Sequence, residues 1–169
     1  MNSITLIFGD GKGKTTSAFG YVLTKLNKGR DVIIVQFLKT GNNCGECNFL
    51  KNNEKVRFIF IGKTDFYVPN KRKDEYSDLI RNGLSALKEE LKRKKADILL
   101  LDELGVAISY DLVKWEEIQR FFSYINDEII ITGRNIPSHV KDVGTELILV
   151  EEKKHPFSGG LKARMGIEY

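Results

Sequence analysis

Short β-branched and apolar runs alternate along this chain with segments in which apolar residues recur every three or four positions. The runs are typical of strands, the spaced apolar residues are typical of helices, and their alternation is typical of parallel strands joined by crossover helices. The predicted strands cover residues 4–8, 31–37, 56–61, 98–102, 128–132 and 146–150. We therefore expect an α/β fold of three layers, in which helices cover both faces of a mostly parallel central sheet.

Three apolar stripes predict the longer helices. The first stripe is followed by Gly29, a residue type common just after a helix, and consists of Phe19, Val22, Leu23 and Leu26. The second consists of Tyr76, Leu79, Ile80, Leu87 and Leu91, and the third of Trp115, Ile118, Phe122 and Ile125. Before the second helix, residues 62–73 contain a proline and several charges, which predicts a long loop.

Length and composition are those of an ordinary globular protein. The 169 residues fit one domain, 1–169, and 41% of them are hydrophobic. No apolar run approaches the roughly 18 residues of a membrane span, and the first strand leads into a glycine loop rather than a signal-peptide cleavage site. Two cysteines are too few for a disulfide scaffold, which agrees with a reducing compartment. We expect a cytoplasmic protein with no membrane partner.

The net charge of +4 suits anionic small molecules such as nucleotides, but it is too small to indicate nucleic-acid binding. A basic run over residues 88–95 could be interpreted as a nucleic-acid patch on the second helix. Glu89 and Glu90 interrupt this run, and no aromatic stacking platform accompanies it. We therefore favour a solvated helix face and expect no nucleic-acid partner.

A glycine-rich loop joins the first predicted strand to the first predicted helix. Glycines let backbone N–H groups converge on phosphate oxygens, the helix N-terminus adds a positive dipole end, Lys14 supplies a charge, and Thr15 offers a hydroxyl to Mg²⁺. The loop is a variant of GxxxxGK[ST], because Phe8 stands where the first glycine would be. A glycine turn without a ligand is the alternative, which the strand and helix context disfavours. The predicted phosphate-binding residues are Gly9, Asp10, Gly11, Lys12, Gly13, Lys14, Thr15 and Thr16.

A second polar feature is an apolar predicted strand that ends in Asp102 and Glu103. In a parallel sheet these carboxylates lie at the same edge as the phosphate loop. One can hold Mg²⁺ or its water while the other orients it, and an acidic turn of purely structural use is the alternative. We predict Thr15, Asp102 and Glu103 as the Mg²⁺ residues, with Lys14 and Glu103 as the catalytic residues.

Five segments in a fixed order carry a family resemblance. They are 9–16 (GDGKGKTT), 35–39 (VQFLK), 101–104 (LDEL), 131–135 (ITGRN) and 162–169 (KARMGIEY). Together they resemble the P-loop type of ATP:corrinoid adenosyltransferase over nearly the whole chain. The resemblance implies a P-loop NTPase-like fold and transfer of the 5′-deoxyadenosyl group of ATP to the cobalt(I) of a corrinoid, with release of triphosphate. It also implies a homodimer, served by an electron-donating reductase.

This chemistry fits the residues that the sequence lacks. Cobalt(I) is already a strong nucleophile and carries no proton, so no Ser-His-Asp or Cys-His arrangement is required. The protein must align cobalt with the ribose C5′ and stabilise charge on the leaving triphosphate. Lys12, Lys14 and the loop N–H groups suit the second task.

An apolar loop is expected to suit the first task, because a corrin face is apolar. We predict that Phe66 and Tyr67 contact the corrinoid, and the alternative is that they pin their loop onto the core. The family commonly has an aromatic loop ending in Trp, whereas the tryptophan of this chain is Trp115 on a predicted helix. Thr24 stands where the family usually has an arginine.

Three weaker signals remain open. Cys44 and Cys47 form a CxxC pattern, which could be structural, a redox pair or half of a zinc site. In the family this place resembles a Gly-Glu pair that opens a short helix, here Gly45 and Glu46, and this resemblance favours structural use. The resemblance places His155 near the nucleotide, and an ordinary surface histidine is the alternative. Arg134, after the fifth strand, could contact phosphate or pair with a carboxylate.

Two other functions compete with adenosyl transfer. A P-loop kinase or NTPase would direct attack at the γ-phosphate and would need a group that positions water or acts as a base. A non-catalytic nucleotide- or corrinoid-binding module would bind without turnover. The products formed from ATP distinguish these possibilities.

Overall fold

The computed structural model of the chain describes residues 2–41, 44–63, 67–68 and 71–153. Within these residues the strands are β1 (Ser3–Phe8), β2 (Val32–Phe37), β3 (Val56–Ile61), β4 (Ala96–Asp102), β5 (Ile125–Gly133) and β6 (Glu146–Leu149). The helices are α1 (Lys14–Asn27), α2 (Gly45–Leu50), α3 (Lys73–Arg93), α4 (Leu104–Ser109), α5 (Trp115–Gln119) and α6 (Ser138–Lys141).

The strands form one sheet in the order β3-β2-β4-β5-β1-β6, and every neighbouring pair is parallel. Their carboxyl ends therefore meet at one edge, which is where parallel α/β sheets bind ligands. The register aligns Phe8 with Gly133 and Gln36 with Asp102. Because β5 lies between β1 and β4, the phosphate-loop strand and the acidic strand are separated by one strand.

Strand β2 shows why the sheet has helices on both faces. Its sequence VIIVQF is almost continuously apolar, as expected of a strand buried on both sides, and all of it is buried. Ile33 and Val35 pack in the cluster that includes α3, whereas Val32 and Ile34 pack in the cluster that includes α1. The predicted three-layer α/β fold is therefore confirmed.

The predicted helices are confirmed in part. In α1, Phe19 and Val22 are buried, but Leu23 is 43% exposed and lies outside the core. The third predicted helix is shorter than expected. Helix α5 ends at Gln119, a 3₁₀ turn spans Phe122–Tyr124, and Ile125 begins β5, so the prediction was wrong for Phe122 and Ile125. Pairing of Ile125 with Ala96 of β4 overrides the helical spacing there. Helices α4 and α6 were not predicted.

Candidate active site

The phosphate loop follows β1 and ends where α1 begins at Lys14. Gly13 has a φ of 103°, a backbone conformation that glycine adopts without strain, and its position stands in open space. Gly11 serves a different purpose, because a Cβ there would lie 2.7 Å from the carbonyl oxygen of Val150. The Gly11 N–H donates to that oxygen at 2.8 Å. The loop is thus braced by the chain that leaves β6, a contact that the motif did not predict.

Lys14 is 7% exposed and folds back into its own loop. Its Nζ donates to the carbonyl oxygen of Gly11 at 2.6 Å. Burial lowers the pKa of Lys14, and the nearby charge of Glu103 offsets part of that effect. The amino group is therefore held inside the loop, where the motif predicts phosphate.

Asp102 ends β4 as a fully buried carboxylate with four hydrogen-bond donors. Thr15 Oγ1 and Thr132 Oγ1 donate to its Oδ1 at 2.9 and 2.7 Å. Gln36 Nε2 and Lys39 Nζ donate to its Oδ2 at 2.8 and 2.9 Å. An ionised carboxylate accepts about four hydrogen bonds, so this side chain is fully satisfied by the protein.

The pKa values of the two neighbouring carboxyl groups, Asp102 and Glu103, are shifted in opposite directions from their ordinary values. Burial alone would raise the pKa of Asp102, but the Lys39 charge and the hydrogen bonds from Lys39, Thr132 and Gln36 hold it below its ordinary value. Burial raises the pKa of Glu103, Lys39 lowers it, the charge of Asp102 raises it further, and the net direction is upward. Adjacent carboxyl groups whose pKa values are shifted in opposite directions are typical of a functional site.

The backbone at these strand ends is strained. Leu38, directly after β2, and Glu103, directly after β4, both have a φ of 60°, which non-glycine residues seldom adopt. The Glu103 N–H donates to Thr132 Oγ1 at 3.0 Å, which fixes the turn into α4. Strain of this kind collects at functional sites, because the surrounding contacts hold the chain in place.

Sequence reasoning did not assign roles to Gln36, Lys39 and Thr132, although all three meet at Asp102. Gln36 had a detectable signal, since it is the polar residue of an otherwise apolar strand. Lys39 and Thr132 lie in segments that carried the family resemblance, but neither has a motif of its own. Their roles depend on the sheet register, which brings the ends of β2, β4 and β5 together.

The donor set suits Mg²⁺. Hard oxygen ligands are what this cation takes, and the predicted residues supply the Thr15 hydroxyl and the carboxylates of Asp102 and Glu103. Within the described part of the chain, no group of three or more His, Cys, Asp or Glu side chains is placed to hold a metal. Mg²⁺ in nucleotide sites is usually held by one or two carboxylates together with phosphate oxygens and water.

Cys44 and Cys47 form a disulfide at the start of α2, with their Cα atoms 5.1 Å apart. The expected short helix opening at Gly45 is confirmed, but the bond itself was not predicted. Disulfide sulfurs are not thiolates, so the zinc interpretation does not fit this structure. Inside the same turn, Glu46 accepts a hydrogen bond from Thr16 Oγ1 at 2.8 Å, which links α2 to the phosphate loop.

The other predicted site residues have mixed outcomes. Tyr67 is half-buried, with its ring 4.9 Å from that of Tyr76 and 5.3 Å from that of Tyr110. These contacts fit the alternative in which Tyr67 pins its loop to the core. Arg134 is exposed and follows β5, close enough to influence the pKa of Lys14 and of Glu103. Phe66 and His155 lie outside the described residues.

A parallel α/β sheet with a glycine loop after β1 and an acidic pair at the carboxyl end of β4 defines a P-loop nucleotide-binding protein. The fold is similar to that of the flagellar accessory protein FlaH from Methanocaldococcus jannaschii, with a TM-score of 0.52. The two are 17% identical, and the match covers 88% of this chain and 70% of that one. Likeness at this identity concerns the fold alone.

The family model for ATP:corrinoid adenosyltransferase BtuR/CobO/CobP matches residues 1–169. The chain is 31% identical to corrinoid adenosyltransferases of Escherichia coli (strain K12) and Salmonella typhimurium, over 98% of this chain and 85% of each relative. It is 27% identical to one from a Sinorhizobium species, over 95% of this chain and 77% of that protein. The chain belongs to the ATP:corrinoid adenosyltransferase family. It is a transferase that moves the adenosyl group of ATP to a corrinoid.

The expectation that the chain has no membrane span can be compared with the helices of the structure. Among the described residues, none of the helices is long and apolar enough to cross a membrane.

Proposed function

We propose that this enzyme binds ATP with Mg²⁺ at the phosphate loop and transfers the 5′-deoxyadenosyl group to the cobalt(I) of a corrinoid, releasing triphosphate. The observation that carries the proposal is the hydrogen bond from Thr15 to Asp102, which joins the phosphate loop to the acidic strand at 2.9 Å. The Thr15 hydroxyl donates its proton to Asp102, so its oxygen can accept from Lys39 Nζ, at 3.4 Å, or bind a cation in its place. Mg²⁺ bound there would neutralise part of the triphosphate charge.

The bond changes define what the protein must stabilise. Cobalt supplies the electron pair that forms the new bond to C5′, and the bond from C5′ to the triphosphate oxygen breaks with its electrons on oxygen. Negative charge therefore grows on the triphosphate in the transition state. Lys14, Lys12 and the first N–H groups of α1 oppose that charge from a fixed loop, which is the electrostatic arrangement that accelerates such a step.

The two carboxylates then have different tasks. Asp102 holds Thr15 in its orientation, and its depressed pKa keeps it ionised at neutral pH. Glu103, with a raised pKa and a partly exposed side chain, would help to hold the cation through water when the metal–nucleotide complex is bound. Neither residue needs to remove a proton from the nucleophile, because cobalt(I) has none.

The corrinoid is expected on the side of the loop that follows β3. Val68 is 49% exposed and Tyr110 is 38% exposed, and Tyr67 contacts the ring of Tyr110. Phe66 and Tyr67 remain the predicted contacts to the corrin face, and His155 and Arg134 remain predicted contacts to the nucleotide. The family resemblance supports a homodimer and a separate reductase that supplies cobalt(I), while the length and composition of the chain support a single domain (1–169) and a cytoplasmic location.

One anaerobic assay tests this function. The protein is mixed with ATP, Mg²⁺ and a chemically reduced corrinoid, and the products are identified by mass spectrometry. We expect equal amounts of triphosphate and adenosylated corrinoid. ADP and phosphate would instead indicate a kinase or NTPase, and binding of both substrates without products would indicate a non-catalytic module.

A further inference from the structure

Lys39 lies at the centre of the acidic cluster formed by Asp102 and Glu103. Its Nζ lies 2.9 Å from Asp102 Oδ2, 3.4 Å from Thr15 Oγ1 and 3.8 Å from Glu103 Oε1. The strained turn at Leu38 directs the chain from β2 into this position. The Lys39 side chain is 35% exposed, so the amino group is reachable from solvent.

The oxygen atoms around Lys39 belong to Thr15, Asp102 and Glu103, the three residues predicted to hold Mg²⁺. Two cations a few ångströms apart repel each other strongly where water is scarce. We therefore expect the Lys39 ammonium group and a divalent cation to compete for the oxygen atoms of this cluster.

The other donors to Asp102 differ from Lys39. Gln36 and Thr132 are buried and uncharged, and both bond to Asp102 at less than 3 Å, so they can stay in place whatever cation is present. Lys39 carries charge, sits on a long flexible side chain and touches all three predicted metal residues. Lys39 is therefore the donor to Asp102 that a divalent cation can replace.

We propose that Lys39 is a positioning residue that takes the place of the divalent cation in the nucleotide-free enzyme and yields that place when the metal–nucleotide complex binds. In this role Lys39 keeps Asp102, Glu103 and Thr15 arranged around a positive charge, so the site is already shaped before the substrate arrives. The same contact keeps free divalent cations out of an empty site. This inference rests on the proposed Mg²⁺–nucleotide function.

The test is a titration of the nucleotide-free protein with Mn²⁺ alone, which takes the same oxygen ligands and whose free concentration is read by electron paramagnetic resonance. We expect weak binding to the wild type. In Lys39→Met the dissociation constant should fall by about tenfold or more, because a competing charge a few ångströms from the metal has been removed. Lys39→Arg, which keeps the charge, should bind Mn²⁺ as weakly as the wild type.

A thermal measurement gives a second readout. Lys39→Met should lower the melting temperature of the nucleotide-free protein, because Asp102 loses a charged partner, and saturating Mn²⁺ should restore most of that loss. Lys25→Met is the matched control, since Lys25 pairs at 2.5 Å with the buried carboxylate of Glu128 near the amino end of β5. That variant should lose stability without recovery by Mn²⁺. If Lys39→Met does not fold, Lys39→Gln takes its place in both measurements.

Equal Mn²⁺ affinity in the wild type and a folded Lys39→Met or Lys39→Gln variant would overturn the proposal, as would equal rescue of Lys25→Met. The adenosyl-transfer assay on the wild type is run in parallel. If the wild type makes adenosylated corrinoid while Mn²⁺ affinity does not respond to Lys39, only the role of Lys39 fails. If the wild type makes no product, the proposed function fails whatever the titration gives.

Discussion

The end of β4 and the loop after β3 lie at the same edge of the sheet, but they are built in different ways. At the end of β4, Asp102 is fully buried and receives four hydrogen bonds from three separate segments of the chain. After β3, the described contacts are ring contacts from Tyr67 to Tyr76 and Tyr110, beside an exposed Val68. One region is a polar network around a buried carboxylate, and the other, in its described residues, is a set of aromatic contacts beside an exposed valine.

The difference follows from what each half of the reaction requires. Charge that develops on a triphosphate is stabilised best by groups fixed in advance, and fixing them takes many mutual hydrogen bonds. A large apolar ring system is bound mainly by removal of its surface from water, which needs exposed apolar side chains. Substitutions in the two regions should therefore separate nucleotide binding from corrinoid binding.

The largest effect is expected at Lys14. Lys14→Ala should abolish MgATP binding or lower turnover by at least about 100-fold, because it removes a charge aimed at phosphate in a preorganised loop. The fold should persist, since burial already disfavours the charged form of this lysine. Lys28→Ala, at the exposed other end of the same helix, is the control. Near-normal kinetics in Lys14→Ala would refute the phosphate-loop assignment.

The second largest effect, a loss of stability, is expected for Asp102→Asn. An amide NH₂ would face donors that now share a carboxylate, so the free energy of unfolding should fall by about 2 to 4 kcal/mol. The pKa of Asp102 is depressed in the folded protein, so its stabilisation is present above the ordinary Asp pKa and is lost as pH falls through the folded value. Urea unfolding between neutral and acid pH should show the two proteins converging at low pH. A constant difference would contradict this assignment.

Substitutions in the loop after β3 that contains Phe66 and Tyr67 should weaken corrinoid binding but not MgATP binding. Replacing Phe66 and Tyr67 with alanine should weaken corrinoid binding by about 1 to 3 kcal/mol for lost apolar burial, while the Kd for MgATP changes little. Two titrations of the double variant measure this, with Phe49→Ala as an exposed aromatic control. Equal losses for both ligands would indicate a collapsed loop, and a loss for ATP alone would reverse the two halves of the site.

Glu103→Gln should have the smallest effect on stability and the opposite sign from Asp102→Asn. The pKa of Glu103 is raised in the folded protein, so its ionised form costs stability above that pKa, and the cost vanishes below the ordinary Glu pKa. The variant should therefore be more stable than the wild type at neutral pH, and the difference should disappear at acid pH. It should also need more Mg²⁺ for activity, as should Asp102→Asn. If neither variant changes the Mg²⁺ dependence, the acidic pair is structural.

The sequence predicted those parts of the molecule that depend on local pattern. Strand β3 was predicted over its observed length, and the glycine loop between β1 and α1 was predicted because strand, glycines, lysine and helix are contiguous. The partners of Asp102 were not predicted, because Gln36 and Thr132 are 66 and 30 residues away from it in the chain. Only the strand order and register bring them together. The same pairing turned Ile125 from a predicted helix into the start of β5.

The convergence on Asp102 has a consequence for how this site can change over generations. Thr15, Gln36, Lys39 and Thr132 come from three segments, yet each directs its polar atom at one carboxylate. Residues in one network have effects that do not add, so a substitution harmless in one background is damaging in another. We expect drift at these five positions to be correlated. A designer who grafts the site onto another scaffold must move all five residues together.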